Sequence, residues 1–140
     1  MLEKIDYRRL NSRQKENYNF QKASGILADY GFTTIRLSDD WNGADFIAQH
    51  AKGKPVLRVQ LKGRLDVRKK YEGKKLWLCF PAGDGWYLCP HDRVLGFLKK
   101  STKIRRSESW RKRGGYSWPR LPTHLKDFLK RFLLTDEKTS

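Results

Sequence analysis

Residues 43–63 of this chain read GADFIAQHAKGKPVLRVQLKG, and they predict two strands joined by a turn. The Lys-Gly-Lys-Pro segment at 52–55 is typical of a hairpin turn, because glycine and proline favour the backbone angles that turns need. Residues 44–49 before the turn and 56–63 after it have the composition of strands. Alternate positions of the second strand place three apolar side chains on one face: Leu57, Val59 and Leu61. We expect this hairpin to belong to the central sheet.

A helix is predicted upstream of the hairpin, from residue 12 to about residue 29. Asn11 or Ser12 can cap its first turn, since either side chain accepts a hydrogen bond from a backbone N–H there. Its apolar residues recur at spacings of three and four, the period of an amphipathic helix: Phe20, Ala23, Leu27 and Tyr30. Gly31 is suited to end the helix, because glycine adopts the left-handed conformation without strain.

The remaining elements are predicted from periodicity and turn residues. Further strands are expected at 32–37, 76–80 and 86–89, and further helices at 92–99 and 125–134. Residues 39–43 are turn-like, and residues 82–85 join the last two strands. This order indicates an α+β or α/β fold with a mixed central β-sheet flanked by helices. We expect one domain, 1–140, with a core at 12–100 and a basic C-terminal extension at 101–140.

The chain is strongly basic, with 31 lysines and arginines against 15 acidic residues and a formal net charge of +16. Such an excess repels itself in the folded state, which indicates a polyanionic partner, and nucleic acid is the commonest one. The five tryptophans among its aromatic residues can stack on bases. The plain alternative is a cationic protein without such a partner. No stretch resembles a membrane span, a signal peptide or a basic amphipathic anchor, so we expect no membrane partner.

The cysteines and histidines do not have the spacing of a metal site. Cys79 and Cys89 lie in predicted strands without a CxxC partner, and the three histidines show no ligand pattern. We therefore expect no zinc site, and two buried, reduced thiols in a cytoplasmic protein.

One group of residues indicates chemistry. Asp45 begins a predicted strand, and Gln60 and Lys62 follow fifteen and seventeen residues later on one face of the next strand. If the two strands pair across the turn, all three lie at the same edge of the sheet. Oxygen ligands beside an ammonium group suit metal-assisted phosphodiester hydrolysis, in which Mg²⁺ neutralises the phosphate and acidifies a bound water. The alternative is an amphipathic strand whose polar face is simply hydrated.

These residues also carry a resemblance to a known family. Residues 43–45 and 58–62, after a helix that ends in Tyr30-Gly31-Phe32, resemble the PD-(D/E)XK nuclease superfamily. They are most similar to its small intron-encoded homing endonucleases, in the variant that reads QxK, and more distantly to archaeal Holliday junction resolvases. The resemblance covers residues 12–64 and implies a restriction-endonuclease-like core with Asp45, Gln60 and Lys62 on the motif positions.

The resemblance implies a role for each of these residues. Asp45 and Gln60 would bind Mg²⁺ or Mn²⁺ with the Leu61 carbonyl as a third ligand, and Lys62 would position the water or balance charge. Gln60 departs from the usual carboxylate, which should lower the affinity for metal because an amide oxygen carries no charge. The family's helical glutamate has two candidates here, Glu16 and Gln21, and the sequence leaves both open.

Two basic runs, at 62–75 and 99–113, have the composition of a nucleic-acid contact surface. Each interleaves lysines and arginines with hydroxyl or aromatic side chains, which suits phosphate contacts and stacking. The residues expected to contact nucleic acid are Arg58, Arg64, Lys69, Lys70, Arg105, Arg106, Trp110, Arg111, Lys112 and Arg113. The alternative for any one of them is a solvated charged loop.

The sequence therefore predicts a metal-dependent DNA endonuclease that hydrolyses phosphodiester bonds. The first alternative is a non-catalytic DNA- or RNA-binding protein that retains a nuclease-like fold, which the shortage of carboxylates favours. A basic structural component of a ribonucleoprotein is the second. Cutting both strands of DNA ordinarily needs two active sites in a chain this small, so a homo-oligomer, dimer or tetramer, is expected by analogy.

Overall fold

The computed structural model of the protein describes residues 1–83 and 85–135, apart from the side chain of Asp40. Its helices and strands, in chain order, are α1 (Ser12–Asp29), β1 (Phe32–Trp41), β2 (Ala44–His50), β3 (Val56–Leu61), β4 (Leu65–Arg68), β5 (Leu76–Ala82), β6 (Gly85–Pro90), α2 (His91–Ser101), β7 (Gly115–Trp118), α3 (Thr123–Leu129) and β8 (Leu133–Leu134). Short 3₁₀ turns lie at Tyr7–Arg9, Lys69–Tyr71, Ile104–Arg106 and Lys130–Phe132, and Ser109–Arg113 forms a π-helical turn.

The strands form two sheets. The larger has the order β1-β2-β3-β5-β6-β8, and β4 pairs with β7 in a smaller one. Strands β3 and β5 are parallel, whereas the other neighbouring pairs are antiparallel. The sheet is therefore mixed and has helices packed against it, which confirms the predicted fold class. None of the helices in the described part of the chain is long and apolar enough to span a membrane.

Helix α1 begins and ends as predicted because its end residues satisfy backbone groups. Asn11 is the N-cap: its side chain accepts a 2.8 Å hydrogen bond from the N–H of Gln14, whose side chain accepts a 2.9 Å bond from the N–H of Asn11. This reciprocal arrangement is a capping box. At the other end Gly31 has φ +88°, a left-handed conformation that favours glycine.

The core has two main clusters, on opposite faces of the large sheet. Helix α1 buries Ala23 and Leu27 against one face, where Phe46 and Val59 are fully buried. The opposite face of β5 and β6 is covered by α2, α3 and the β4–β7 pair, in a cluster built around Phe80 and other buried side chains. Alternation of side chains along each strand divides them between these two clusters. Cys79 and Cys89 are both buried and not in a disulfide, as predicted.

Several predicted boundaries were wrong. Strand β1 continues to Trp41, so the turn is confined to Asn42 and Gly43, both with positive φ. The last helix ends at Leu129 and is followed by a 3₁₀ turn. Residues 133–134 are then extended, because they pair with the open edge of β6. Edge pairing supplies backbone hydrogen bonds that the local apolar period cannot reveal.

The β4–β7 pair was not predicted at all. Leu65 pairs with Trp118 and Val67 with Tyr116, across about fifty intervening residues. A pairing between such distant segments leaves no local pattern in the sequence. As a result, the segment at 101–118, expected to be an irregular basic extension, contributes to the core. Residue 84 of the predicted 82–85 turn lies outside the described residues.

Candidate active site

The hydrogen-bonded ladder between β2 and β3 ends at the pair Phe46–Val59. Beyond it, the backbone N–H of Leu61 donates to Oδ2 of Asp45 at 2.7 Å. A side-chain oxygen therefore takes the place of a backbone carbonyl at the point where the two strands separate. This bond fixes the Asp45 carboxylate at the end of the hairpin, close to the Leu61 backbone.

A cavity of about 550 Å³ opens at this point. It is formed by α1, β1, β2 and β3, and its lining residues are Arg13, Glu16, Phe20, Arg36, Leu37, Ser38, Asp39, Ala44, Asp45 and Leu61. Three of these side chains are carboxylates and two are guanidinium groups. The cavity thus combines oxygen ligands with cations, the two kinds of group that metal-assisted phosphate chemistry requires.

Arg36 is held over one side of the cavity by α1. Its Nη2 lies 3.8 Å from Oε1 of Glu16, its other terminal nitrogen donates to the side-chain oxygen of Asn17, and its guanidinium lies 5.3 Å from the centre of the Phe20 ring. Because the Arg36 and Glu16 side chains are largely exposed, this ion pair adds little to stability. Both groups therefore remain accessible to a ligand that enters the cavity.

Gln60 and Lys62 do not belong to the lining of this cavity. Gln60 is 3% exposed, and its Oε1 has no hydrogen-bond partner among the residues that the structure describes. Alternation along β3 places its side chain on the opposite face from Leu61, which packs toward α1. Lys62 is partly exposed, and its backbone N–H donates to the carbonyl of Cys79 at 2.9 Å. The cavity lining thus contains Asp45 and Leu61 but neither Gln60 nor Lys62. In the register of the hairpin, however, Gln60 follows Val59 and Asp45 precedes its partner Phe46, so the two residues occupy opposed positions of β3 and β2.

The two candidates for the helical acid lie in different places. Glu16 lines the cavity that contains Asp45. Gln21 lines a separate one, with Tyr18 and Trp86 among its neighbours. Glu16 is therefore the candidate that the fold places with Asp45.

Three charged residues of the cavity were not predicted as site residues: Arg13, Arg36 and Asp39. Arg13 and Glu16 are three positions apart, and Phe20 follows four positions later, so the helical period already places them on one face of α1. This spacing could have identified Arg13. Arg36 and Asp39 lie on β1, and Asp39 falls in the part of that strand that was predicted to be a turn.

The donor set fits Mg²⁺ better than a metal that needs a complete protein cage. Within residues 1–83 and 85–135 there is no group of three or more His, Cys, Asp or Glu side chains placed to hold a metal ion. Mg²⁺ is commonly bound through one or two carboxylates, with water and substrate phosphate completing its shell. Asp45, Glu16 and the Leu61 carbonyl supply oxygen ligands of that kind.

The two thiols take no part in this site. Burial raises the pKa of the Cys79 thiol to about 12. Burial, together with the neighbouring Cys79, raises the pKa of the Cys89 thiol as well. Both side chains are therefore protonated near neutral pH, and a protonated thiol is neither a good nucleophile nor a good metal ligand.

Two residues expected to contact nucleic acid, Trp110 and Arg58, instead interact with other parts of the protein. Trp110 is only 4% exposed and packs in the larger core cluster, which corrects its prediction as a stacking residue. The ammonium groups of Lys69 and Lys99 lie 5.2 and 5.7 Å from its ring centre. Arg58 lies 5.4 Å from the centre of the Trp41 ring and donates to a backbone carbonyl.

The other basic residues of the prediction lie on the surface. Exposed members of the set are Arg64, Lys69, Lys70, Arg105, Arg106, Arg111, Lys112 and Arg113. Lys112 forms a 3.0 Å ion pair with Glu108, one helical turn away. The π-helical turn at Ser109–Arg113 presents three consecutive cations to solvent. This surface can contact phosphates without rearrangement of the fold.

Comparison of the chain with protein-family models, with curated proteins and with solved structures finds no match to any of them. The resemblance of residues 12–64 to the PD-(D/E)XK superfamily therefore stays a prediction.

Proposed function

We propose that the protein is a Mg²⁺- or Mn²⁺-dependent DNA endonuclease that hydrolyses phosphodiester bonds. The observation that carries this proposal is the position of Asp45, which is fixed by the Leu61 N–H in a cavity that also contains Glu16. That cavity groups three carboxylates with two arginines, in a chain whose formal net charge is +16.

Asp45, Glu16 and the Leu61 carbonyl are the groups that would hold the divalent ion. When bound, the ion would neutralise charge on the scissile phosphate and lower the pKa of a coordinated water. Gln60 is left out of this set because it does not line the cavity.

The cations of the cavity act on the substrate. Arg13 and Arg36 line the cavity with the carboxylates, and a guanidinium binds phosphate oxygens through two parallel hydrogen bonds. We assign to them the orientation of the phosphate and the stabilisation of the charge that develops on it. Lys62 follows Leu61 in the chain but does not line the cavity. We assign to it the stabilisation of the same developing negative charge.

The exposed basic surface supplies affinity. Nucleic-acid binding draws mainly on many separate phosphate contacts, and these do not depend on sequence. Arg105, Arg106, Arg111 and Arg113 are exposed cations on the described surface of the C-terminal part. We therefore separate the two tasks: binding by the basic surface, hydrolysis at Asp45.

Incubation with supercoiled plasmid tests the proposal. Nicked or linear product should form with Mg²⁺ or Mn²⁺ and disappear with a chelator. Four-way junctions and single strands should be assayed in parallel, because the substrate structure is not specified by the cavity. Absence of product on every substrate with either metal contradicts the proposal.

A second function has a specific observation in its favour. In the described part of the chain no three acidic, histidine or cysteine side chains are grouped to hold a metal, and the motif position 60 carries an amide. A non-catalytic nucleic-acid-binding protein on a nuclease-like fold would have these features. It predicts salt-dependent binding to DNA or RNA without cleavage.

A further inference from the structure

A second cavity, of about 380 Å³, lies beside β7 in the C-terminal part of the chain. It shares no lining residue with the cavity that contains Asp45. Its walls include two aromatic side chains, two cationic side chains and two aliphatic hydroxyls, those of Tyr116, Trp118, Lys103, Arg106, Thr102 and Ser107. Its volume is within the range of pockets that bind small ligands.

The aromatic wall packs against the core and is only partly covered. Tyr116 and Trp118 alternate along β7, so they share a face, and their ring centroids are 4.5 Å apart with the planes tilted by 47°. They pair with Val67 and Leu65 of β4, and both rings rest against the core cluster. Each remains partly exposed, and the cavity is lined by that remaining surface.

On the polar wall the cationic side chains, and not the hydroxyls of Thr102 and Ser107, are available to bind a ligand. Lys103 and Arg106 are exposed, and neither side chain forms a hydrogen bond or ion pair with another residue in the described part of the chain. The hydroxyls of Thr102 and Ser107, in contrast, donate to backbone carbonyls at 2.6 and 2.7 Å. The groups left to bind a ligand are therefore two flat rings and two positive charges.

We infer that this cavity binds one unpaired nucleobase, stacked on Trp118 and in contact with Tyr116 at its edge, while Lys103 and Arg106 contact the adjacent phosphates. A base presents a flat π-face and carries a phosphate on each side, which matches the two walls. The inference rests on the nucleic-acid partner proposed above but not on cleavage. It makes that partner more specific: DNA that contains an unpaired nucleotide.

Fluorescence anisotropy with two labelled duplexes tests this inference. They have the same sequence, and one carries a single extra, unpaired thymine. The wild type should bind the second more tightly. Trp118→Leu should lower affinity for that duplex by about 5- to 100-fold, toward the value for the paired one, because the base no longer has this ring to stack on. Trp118→Phe should keep most of the preference.

Trp41→Leu is the matched control, because Trp41 is 52% exposed and lines neither cavity. It should leave the preference for the unpaired base unchanged. Equal affinity of the wild type for the two duplexes, or an equal loss on both in Trp118→Leu, would overturn the base pocket and leave nucleic-acid binding intact. Failure of the wild type to bind either duplex would overturn both.

Photocrosslinking gives a result that does not depend on how a variant folds. With 5-iodouracil as the unpaired base, the wild-type protein should crosslink at Tyr116 or Trp118, as mapped by mass spectrometry of the digest. A crosslink confined to other residues would contradict the inference.

Discussion

The backbone N–H of Leu61 donates a 2.7 Å hydrogen bond to Oδ2 of Asp45 at the end of the β2–β3 hairpin. The carboxylate is therefore attached to the rigid part of the sheet and not to a loop. Sites built on strands hold their geometry more closely than sites on loops, and a metal ligand needs such a fixed position.

A matched pair of substitutions on α1 tests which of Glu16 and Gln21 belongs to the active site. Glu16→Ala should lower metal-dependent cleavage by about tenfold or more, because Glu16 shares the cavity with Asp45. Gln21→Ala should leave cleavage unchanged, since Gln21 lines a different cavity. Initial rates of plasmid nicking measure both. A larger loss in Gln21→Ala than in Glu16→Ala would reverse the assignment.

Gln60→Glu tests whether position 60 faces the metal. Gln60 is 3% exposed and outside the cavity lining, so a carboxylate there would be buried without a partner. We expect the free energy of unfolding to fall by about 1–3 kcal/mol at neutral pH, and Mg²⁺ not to restore it. Urea unfolding with and without Mg²⁺ measures this. Recovery of stability in Mg²⁺ together with tighter metal binding would show instead that residue 60 is a ligand.

The exposed arginines of the C-terminal part should account for much of the affinity for DNA. Replacing Arg105, Arg106, Arg111 and Arg113 by Ala should weaken duplex binding and flatten its salt dependence by about 0.9 in log K per log salt for each phosphate that the variant no longer neutralises. The control replaces four exposed lysines outside the basic run at 99–113, Lys52, Lys54, Lys126 and Lys130, by Ala and so removes the same charge. Equal losses of affinity in the two variants would show that net charge alone governs binding.

The buried thiols should make stability fall in alkaline solution. In the folded protein the pKa of Cys79 is raised from 9.0 to about 12 by burial, and that of Cys89 is raised too. Above pH 9.0 and below the raised pKa, a thiol of the unfolded chain loses the proton that the folded chain retains. In that range each thiol lowers the free energy of unfolding by about 1.4 kcal/mol per pH unit.

Urea unfolding at pH 8, 9 and 10 checks this prediction. The variant that carries both Cys79→Ala and Cys89→Ala should show a shallower decline above pH 9 than the wild type, although it is less stable at pH 8. Parallel declines in the two proteins would mean that the thiols titrate alike in the folded and unfolded states.

Local signals in the sequence predicted the elements that position Asp45. Asn11 and Gly31 indicated the ends of α1, because capping groups act on their immediate neighbours. The Lys-Gly-Lys-Pro turn indicated the β2–β3 hairpin and placed Asp45 at its open end. These features depend on residues a few positions apart, which is the range that periodicity and turn chemistry describe.

Long-range pairing was not predictable in the same way. Trp110 was predicted to be an exposed stacking residue because its neighbours in sequence are basic, yet the β4–β7 pair and α2 help to enclose it in the core. Arg36 joined the site through its contacts with α1, and Asp39 joined it through the extension of β1. The burial of Gln60 likewise depends on which elements cover each face of β3. Alternation along the strand shows which residues share a face, but it does not show which face is covered.

Single-turnover cleavage by Asp45→Asn, measured beside DNA affinity, tests the central claim most directly. Asp127→Asn is the matched control, since it makes the same change at an exposed position of α3. If Asp45 holds the metal, Asp45→Asn should cut at least about a hundredfold more slowly in Mg²⁺ while its affinity for DNA stays within a few fold. Asp127→Asn should match the wild type in both. Cleavage by Asp45→Asn at the wild-type rate would contradict the account.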